Sequence, residues 1–93
     1  MAHKILKYQL VGVDSDIELQ LPTGARVLHC KFSNSKGNPL MLWALVDTTL
    51  PEVTRYFRVC KTGSVIDDPE DWVHIGSVDS PQESTVHVFE RVL

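Results

Sequence analysis

The sequence is poor in the residues that would identify a metal or thiol site. Its only cysteines are Cys30 and Cys60, 30 positions apart and without a Cys-x-x-Cys pair. A structural zinc site needs four Cys or His ligands, and only His29 lies next to either thiol in the sequence. We therefore expect two buried, reduced thiols, no metal and no cofactor.

Strong charge and long apolar runs are also missing. Nine Lys and Arg residues stand against 12 Asp and Glu residues, a net charge of −3. A domain that binds nucleic acid by neutralising phosphates is usually strongly basic, so we expect no nucleic-acid partner. The longest apolar run is shorter than half a membrane span, and the first residues have no apolar stretch of signal-peptide length. A cytoplasmic protein without a membrane partner is expected.

The third missing feature is the helical period, since no segment repeats apolar residues every 3.6 positions. Alternating segments separated by Gly, Pro and Asn turns predict strands instead, as in Asp16–Leu21. The 93 residues suit one domain (1–93). We predict an all-β fold, a small antiparallel sandwich or barrel of six to seven strands, with room for one helical turn at Pro69–Trp72 capped by Asp68. The predicted strands cover 4–11, 16–21, 26–32, 40–46, 52–60, 72–78 and 85–92.

What is present is one uninterrupted apolar run, Leu40–Val46, which predicts a strand buried on both faces at the centre of the core. The preceding strand, 26–32, is expected to form a hairpin with it. In that strand Leu28, Cys30 and Phe32 are expected to point inward.

The last two segments predict a hairpin whose register follows from its β-branched residues. Val73 opposite Val88 and Ile75 opposite Val86 would make one face dry, leaving a turn at Asp79–Gln82.

In that register Trp72 faces Phe89 and His74 faces His87. Two adjacent imidazoles beside two aromatic rings can sense pH or stack on a nucleobase, but without a third ligand they make a poor metal site. The alternative is that this face is packed under another strand or a second subunit.

Four carboxylates within Asp67–Asp71 form either a solvated acidic turn or a contact patch for a basic partner, with Trp72 as its anchor. We retain Asp67 and Asp68 as binding candidates. Arg58 is a further candidate, although Arg55 should point to the opposite face of the same strand. No nucleophile motif is present, and we expect no enzymatic activity.

Several segments together resemble an uncharacterised family of short proteins from tailed-phage genomes and prophages. Members often read W-K-Y near the start, L-W-A-L-V-D in the middle and H-V-F-E near the end. The matching segments here are Lys7-Tyr8, 21–25, 42–47, 62–64, 72–78 and 86–90. This chain departs from the pattern at Leu6, where Trp is frequent, and at Ser64-Val65, where His-Pro is frequent.

The resemblance implies a phage-borne accessory protein, located in the host cytoplasm, and implies no activity. We expect a host-takeover or anti-defence factor that binds a host protein. The binding candidates are Trp72, His74, His87, Phe89, Asp67, Asp68 and Arg58. The alternatives are a homo-oligomer that sequesters a nucleotide or another small signalling ligand, and a minor virion component.

Overall fold

The computed structural model describes residues 2–82 and 84–92. Seven strands account for most of these residues, and one 3-10 turn precedes the sixth strand. The all-β prediction is confirmed. The strands are β1 (His3–Leu10), β2 (Asp16–Pro22), β3 (Arg26–Phe32), β4 (Leu40–Asp47), β5 (Glu52–Lys61), β6 (Trp72–Asp79) and β7 (Thr85–Arg91).

The strands form two antiparallel sheets that pack face to face. Sheet A has the order β1-β4-β3, and sheet B has the order β2-β5-β7-β6. The β3–β4 and β6–β7 connections are hairpins, as predicted, whereas the chain passes between sheets after β1, β2 and β4. The Cα extents of 42 × 33 × 16 Å match two sheets stacked about 10 Å apart.

The core lies between the sheets and follows the two-residue period of the strands. Leu42 and Ala44 of sheet A and Phe57 and Val88 of sheet B are fully buried there. Each alternates along its strand with residues on an outer face, so both sheets also have one side open to solvent.

The prediction that β4 is buried on both faces is wrong for its outer side. Met41, Trp43 and Leu45 are only half-buried, because in the described structure no second layer covers this side of sheet A. The seven-residue apolar run therefore combines a core face with an apolar stripe on the protein surface.

Leu28 is also misplaced by the sequence prediction. A register shift between Val27 and His29 interrupts the β3–β4 pairing, and Leu28 remains 45% exposed. Such a bulge resets which side chains point inward, and Val27 packs against the core in its place. Cys30 is buried as predicted, and Phe32 is half-buried and packs against the core.

The predicted register of the last hairpin is wrong as well. Val78, rather than Ile75, lies opposite Val86, and a register shift between His74 and Gly76 brings Gly76 opposite Val88. The turn is not at Asp79–Gln82 as predicted, because Asp79 still pairs with Thr85 in the sheet and the Ser80 amide donates to the Ser84 carbonyl at 2.7 Å. Pairing rules for β-branched residues could not anticipate the bulge.

A largely buried ion pair within sheet B is also hydrogen-bonded to the start of sheet A. Arg55 of β5 donates to both carboxylate oxygens of Glu90 on β7, at 2.5 and 2.8 Å, and also to the carbonyl oxygen of Ala25, which precedes β3. Both charged side chains are largely buried. Arg55 therefore fastens the start of β3 to sheet B, a role that the sequence analysis did not identify.

The short elements match their predictions only in part. Pro69–Asp71 forms the expected helical turn, but Asp68 makes no side-chain capping hydrogen bond there and has a φ of 51°. Cys30 and Cys60 are both buried and unbonded, which confirms the expectation for the two thiols. Burial raises the pKa of the Cys30 thiol to about 11 and also raises that of Cys60.

Candidate binding surfaces

The outer face of sheet B brings together five of the seven residues singled out in the sequence, namely Arg58, Trp72, His74, His87 and Phe89, and adds Arg91. Arg58 lies over the indole ring of Trp72, with its guanidinium carbon 4.5 Å from the ring centroid, and Arg91 lies 6.0 Å from the same centroid. His74 meets Phe89 edge to face at 5.4 Å between centroids. We call Arg58, Trp72, His74, Phe89 and Arg91 the Trp72 cluster.

The strand register explains why these side chains meet. Arg58 is opposite Phe89, and Phe89 is in turn opposite His74, so the three form one row across β5, β7 and β6. Trp72 is opposite Arg91, not Phe89 as predicted. Cation–π stacking with guanidinium groups holds the indole in one orientation on the surface.

Arg58 has a second anchor outside the cluster. Its guanidinium group pairs with the carboxylate of Asp16 on the neighbouring strand β2, directly opposite it in the sheet. The guanidinium charge is therefore partly neutralised, and its flat face remains against the Trp72 ring. As predicted, Arg55 points to the opposite side of β5.

His87 lies next to this cluster in a continuous chain of hydrogen bonds. Thr62 donates its hydroxyl proton to the carbonyl of Thr85, which leaves the Thr62 oxygen free to accept from His87 Nε2 at 2.8 Å. His87 Nδ1 then accepts from the Ser77 hydroxyl at 2.7 Å, and the Ser77 oxygen accepts from His74 Nε2 at 2.9 Å.

The network assigns the Nε2–H tautomer to His87. The two histidines are thus coupled as the sequence suggested, but through Ser77 rather than by direct pairing. Ser77 was missed because only the bulge in β6 places it opposite His87.

Asp67 and Asp68 lie outside the Trp72 cluster. All residues of the acidic segment Asp67–Asp71 are exposed, and the segment leads directly into Trp72. Its last residue is tied to the chain end, because the Val92 amide donates to the Asp71 carbonyl at 2.7 Å. The segment therefore forms an acidic border beside the indole.

The outer face of sheet A has a different construction. Trp43 lies in the middle strand between Lys7 of β1 and His29 of β3, its direct partners in the sheet. The imidazole and indole centroids are 5.7 Å apart. A concavity of about 380 Å³ opens over them, and we call it the Trp43 pocket. Its lining residues are Lys7, His29, Lys31, Phe32, Ser33, Asn34, Met41 and Trp43.

A second concavity of about 450 Å³ lies at the other end of the same face and is lined in part by Arg26, Leu45 and Asp47. Asp47 accepts hydrogen bonds at 3.0 and 2.6 Å from the amide and hydroxyl of Thr49, which lower the pKa of its carboxyl group. These bonds shape the turn after β4. The sequence analysis proposed no site on this face.

Charge is divided unevenly between the sheets. The three strands of sheet A carry four of the nine Lys and Arg residues and one of the 12 Asp and Glu residues. The rest of the chain therefore carries five basic and 11 acidic residues. Although the protein is acidic overall, sheet A is locally basic, at +3 against −6 elsewhere.

Two further classes of site were searched for in the described part of the chain. Among residues 2–82 and 84–92, no group of three or more His, Cys, Asp or Glu residues is arranged to hold a metal ion. Within the same residues, no helix has the length and apolar character needed to cross a membrane.

Comparison with known proteins gives a family but no activity. A family model described as "Domain of unknown function (DUF7352)" matches residues 1–93. Neither a curated protein nor a solved structure matches the chain.

Proposed function

We propose that this chain, which belongs to the DUF7352 family, is an accessory binding protein that acts by contact with another protein through the Trp72 cluster. The observation that carries the proposal is the stacking of Arg58 and Arg91 on Trp72 at the open surface of sheet B. Trp and Arg are the residues most enriched among those that dominate the energy of protein interfaces.

The cluster is held in place before any partner arrives. Asp16 fixes Arg58, Arg58 and Arg91 fix the indole, and Phe89 contacts His74. Ordering side chains on binding costs about 0.5–1.5 kcal/mol for each flexible group. A cluster that is already ordered loses less of its binding energy to that cost.

The partner we propose is a host protein, and the chain a phage-encoded host-takeover or anti-defence factor in the host cytoplasm. The phage origin is supported by the resemblance of the Leu42–Asp47 and His87–Glu90 segments to short phage proteins. The acidic segment Asp67–Asp71 beside Trp72 favours a partner with basic groups next to an apolar pocket.

Sequestration of a nucleotide through the β5 arginines has less support. Arg55 is bound to Glu90 and the Ala25 carbonyl, and Arg58 is paired with Asp16. Neither guanidinium group offers a full set of donors to a phosphate on this face.

The test compares the two tryptophans, one on each outer face. Tagged wild-type protein, Trp72→Ala and the matched control Trp43→Ala are used to capture partners from a host lysate. The captured protein is then purified and titrated calorimetrically. We expect Trp72→Ala to weaken binding by about 30-fold or more and Trp43→Ala to leave it within a few fold, as an interface anchor requires.

Asp67→Asn/Asp68→Asn should produce a smaller loss that shrinks further at high salt. Proton–nitrogen spectra of each variant confirm that it is folded. A partner that binds Trp72→Ala as tightly as wild type, or one that is lost only with Trp43→Ala, would overturn the assignment to the Trp72 cluster.

A further inference from the structure

We propose that the Trp43 pocket on sheet A binds a nucleoside phosphate, with the base against Trp43 and the phosphate between Lys7 and Lys31. The inference does not depend on the proposed function, because the pocket lies on the opposite outer face of the sandwich from the Trp72 cluster.

The floor of the pocket suits a flat heteroaromatic ring. Trp43 is half-buried at the centre of the middle strand, where the strands on both sides limit its movement. The His29 ring is inclined to the indole at an interplanar angle of 41°, so the two rings do not form a parallel stack. An indole face held in this way is a platform for base stacking, which tolerates any base.

The rim of the pocket is cationic. Lys7 flanks Trp43 on β1, and Lys31 flanks Met41 on β3, one on each side of the apolar strip. In residues 2–82 and 84–92, ion pairs join Arg55 to Glu90 and Arg58 to Asp16, and neither lysine takes part in one. Two ammonium groups with long stems can converge on one phosphate above the strip.

The charge of the wider face selects an anion. Sheet A has a basic surplus of +3 in a protein with net charge −3, and among residues 2–82 and 84–92 no carboxylate lines the pocket. A basic or neutral aromatic ligand would gain nothing from the two lysines, whereas a phosphate gains an attraction that weakens with salt.

The size of the pocket favours a single nucleotide over a nucleic-acid strand. A volume of about 380 Å³ is at the lower end of the range for small-molecule sites. Proteins that bind single strands place several aromatic residues in succession along a basic groove. Here one indole is followed by Met41, and the loop residues Ser33 and Asn34 line the pocket with polar groups suited to a base edge or a ribose.

The experiment uses two-dimensional proton–nitrogen spectra of the whole chain, titrated separately with ATP, GTP, CTP and UTP. Adenosine and inorganic triphosphate are the two half-ligand probes. We expect shifts centred on the Trp43 indole N–H and on the amides of residues 29–34. At least one nucleotide should bind more than tenfold tighter than either half-ligand.

The variants separate this site from the rest of the surface. Trp43→Ala should weaken binding of that nucleotide by about tenfold or more. Lys7→Glu/Lys31→Glu should abolish it, because both changes are on exposed side chains and reverse the charge of the rim. Lys61→Glu and Trp72→Ala change residues outside the Trp43 pocket and should leave nucleotide binding unchanged.

Three results would overturn the proposal. One is the absence of shifts at millimolar concentrations of all four nucleotides. Another is a binding response that survives Lys7→Glu/Lys31→Glu. The third is tight binding of an oligothymidylate with affinity that rises with its length, which would assign the face to single-stranded nucleic acid. Loss of the host-protein partner on Trp72→Ala bears only on the function proposed above.

Discussion

The two outer faces of the sandwich each present one tryptophan, but the basic side chains around the two indoles differ in their contacts. On sheet B the guanidinium groups near Trp72 have partners within the protein. Arg58 is paired with Asp16, and both Arg58 and Arg91 stack on the indole. On sheet A, Lys7 and Lys31 border the Trp43 pocket. The first face is a surface already organised within the protein, and the second is an open basic recess.

This difference follows from the neighbours that the topology provides. Sheet B includes β2 and β5, which place Asp16 directly opposite Arg58. Sheet A is built from β1, β3 and β4, whose one acidic residue, Asp47, is turned toward Thr49 at the end of its strand. A lysine in the middle of sheet A therefore has no carboxylate in the adjacent strand positions.

The largest effect is expected in the hydrophobic core between the two sheets, from which we expect most of the stability to come. Leu42→Ala removes a fully buried side chain directly beneath sheet A and should lower the free energy of unfolding by about 2–5 kcal/mol. Leu28→Ala, on the exposed bulge of β3, should change it by less than about 0.5 kcal/mol. Urea denaturation of both variants measures the difference, and equal losses would contradict a core confined between the sheets.

The next comparison sets an inward ion pair against an outward one. Glu90→Ala leaves Arg55 largely buried without its carboxylate and should cost about 1–3 kcal/mol. Asp16→Ala breaks the exposed pair with Arg58 and should cost at most about 1 kcal/mol. Double-mutant cycles with Arg55→Ala and Arg58→Ala give the coupling energies; the distinction fails if the outward pair couples more strongly.

The accuracy of the sequence prediction differs between the two faces for a physical reason. Strand positions and the all-β class follow from alternation and turn residues, and these were predicted closely. Trp72, His74, His87 and Phe89 were identified because they are aromatic or titratable and share one hairpin, whereas Arg91 was missed. Their partners were not, because a two-residue period cannot show a bulge at Ile75.

The Trp43 pocket could not be predicted in the same way. Leu40–Val46 is apolar at every position, so the pattern contains no signal that one side of the strand faces solvent. Lys7 and Lys31 are 24 positions apart and meet only because β1 and β3 flank β4. Pairing between distant strands depends on the topology, which the local pattern does not contain.

A smaller effect is expected in the hydrogen-bond chain of sheet B. Ser77→Ala removes the hydroxyl that joins His74 to His87 and should cost about 0.5–1.5 kcal/mol. Long-range proton–nitrogen spectra of the imidazoles should show the Nε2–H tautomer of His87 in the wild type and a shifted Nδ1 resonance in the variant. A His87 protonated on Nδ1 in the wild type would contradict the assigned chain.

The smallest effect concerns the two buried thiols, Cys30 on β3 and Cys60 on β5. Burial raises the pKa of Cys30 to about 11, so the native state favours the neutral thiol more than the unfolded state does. The resulting contribution to stability is complete below the ordinary thiol pKa and is lost as pH rises from there through about 11. Cys30→Ala should therefore flatten the fall in unfolding free energy over that interval.

The Cys60→Ala variant provides the control for this measurement. Cys60 has its pKa raised first by burial and then by the charge of Asp14, while Arg58 lowers it, so its thiol also belongs to the alkaline response. Each single variant should keep part of the pH dependence, and the double variant should lose both parts. Reaction with an aromatic disulfide at pH 8 should be slow for either thiol until urea unfolds the protein, because the native thiols are buried and protonated. Rapid labelling of Cys30 in the folded wild type would show that sheet A opens, and the rigid platform assigned to Trp43 would then be wrong.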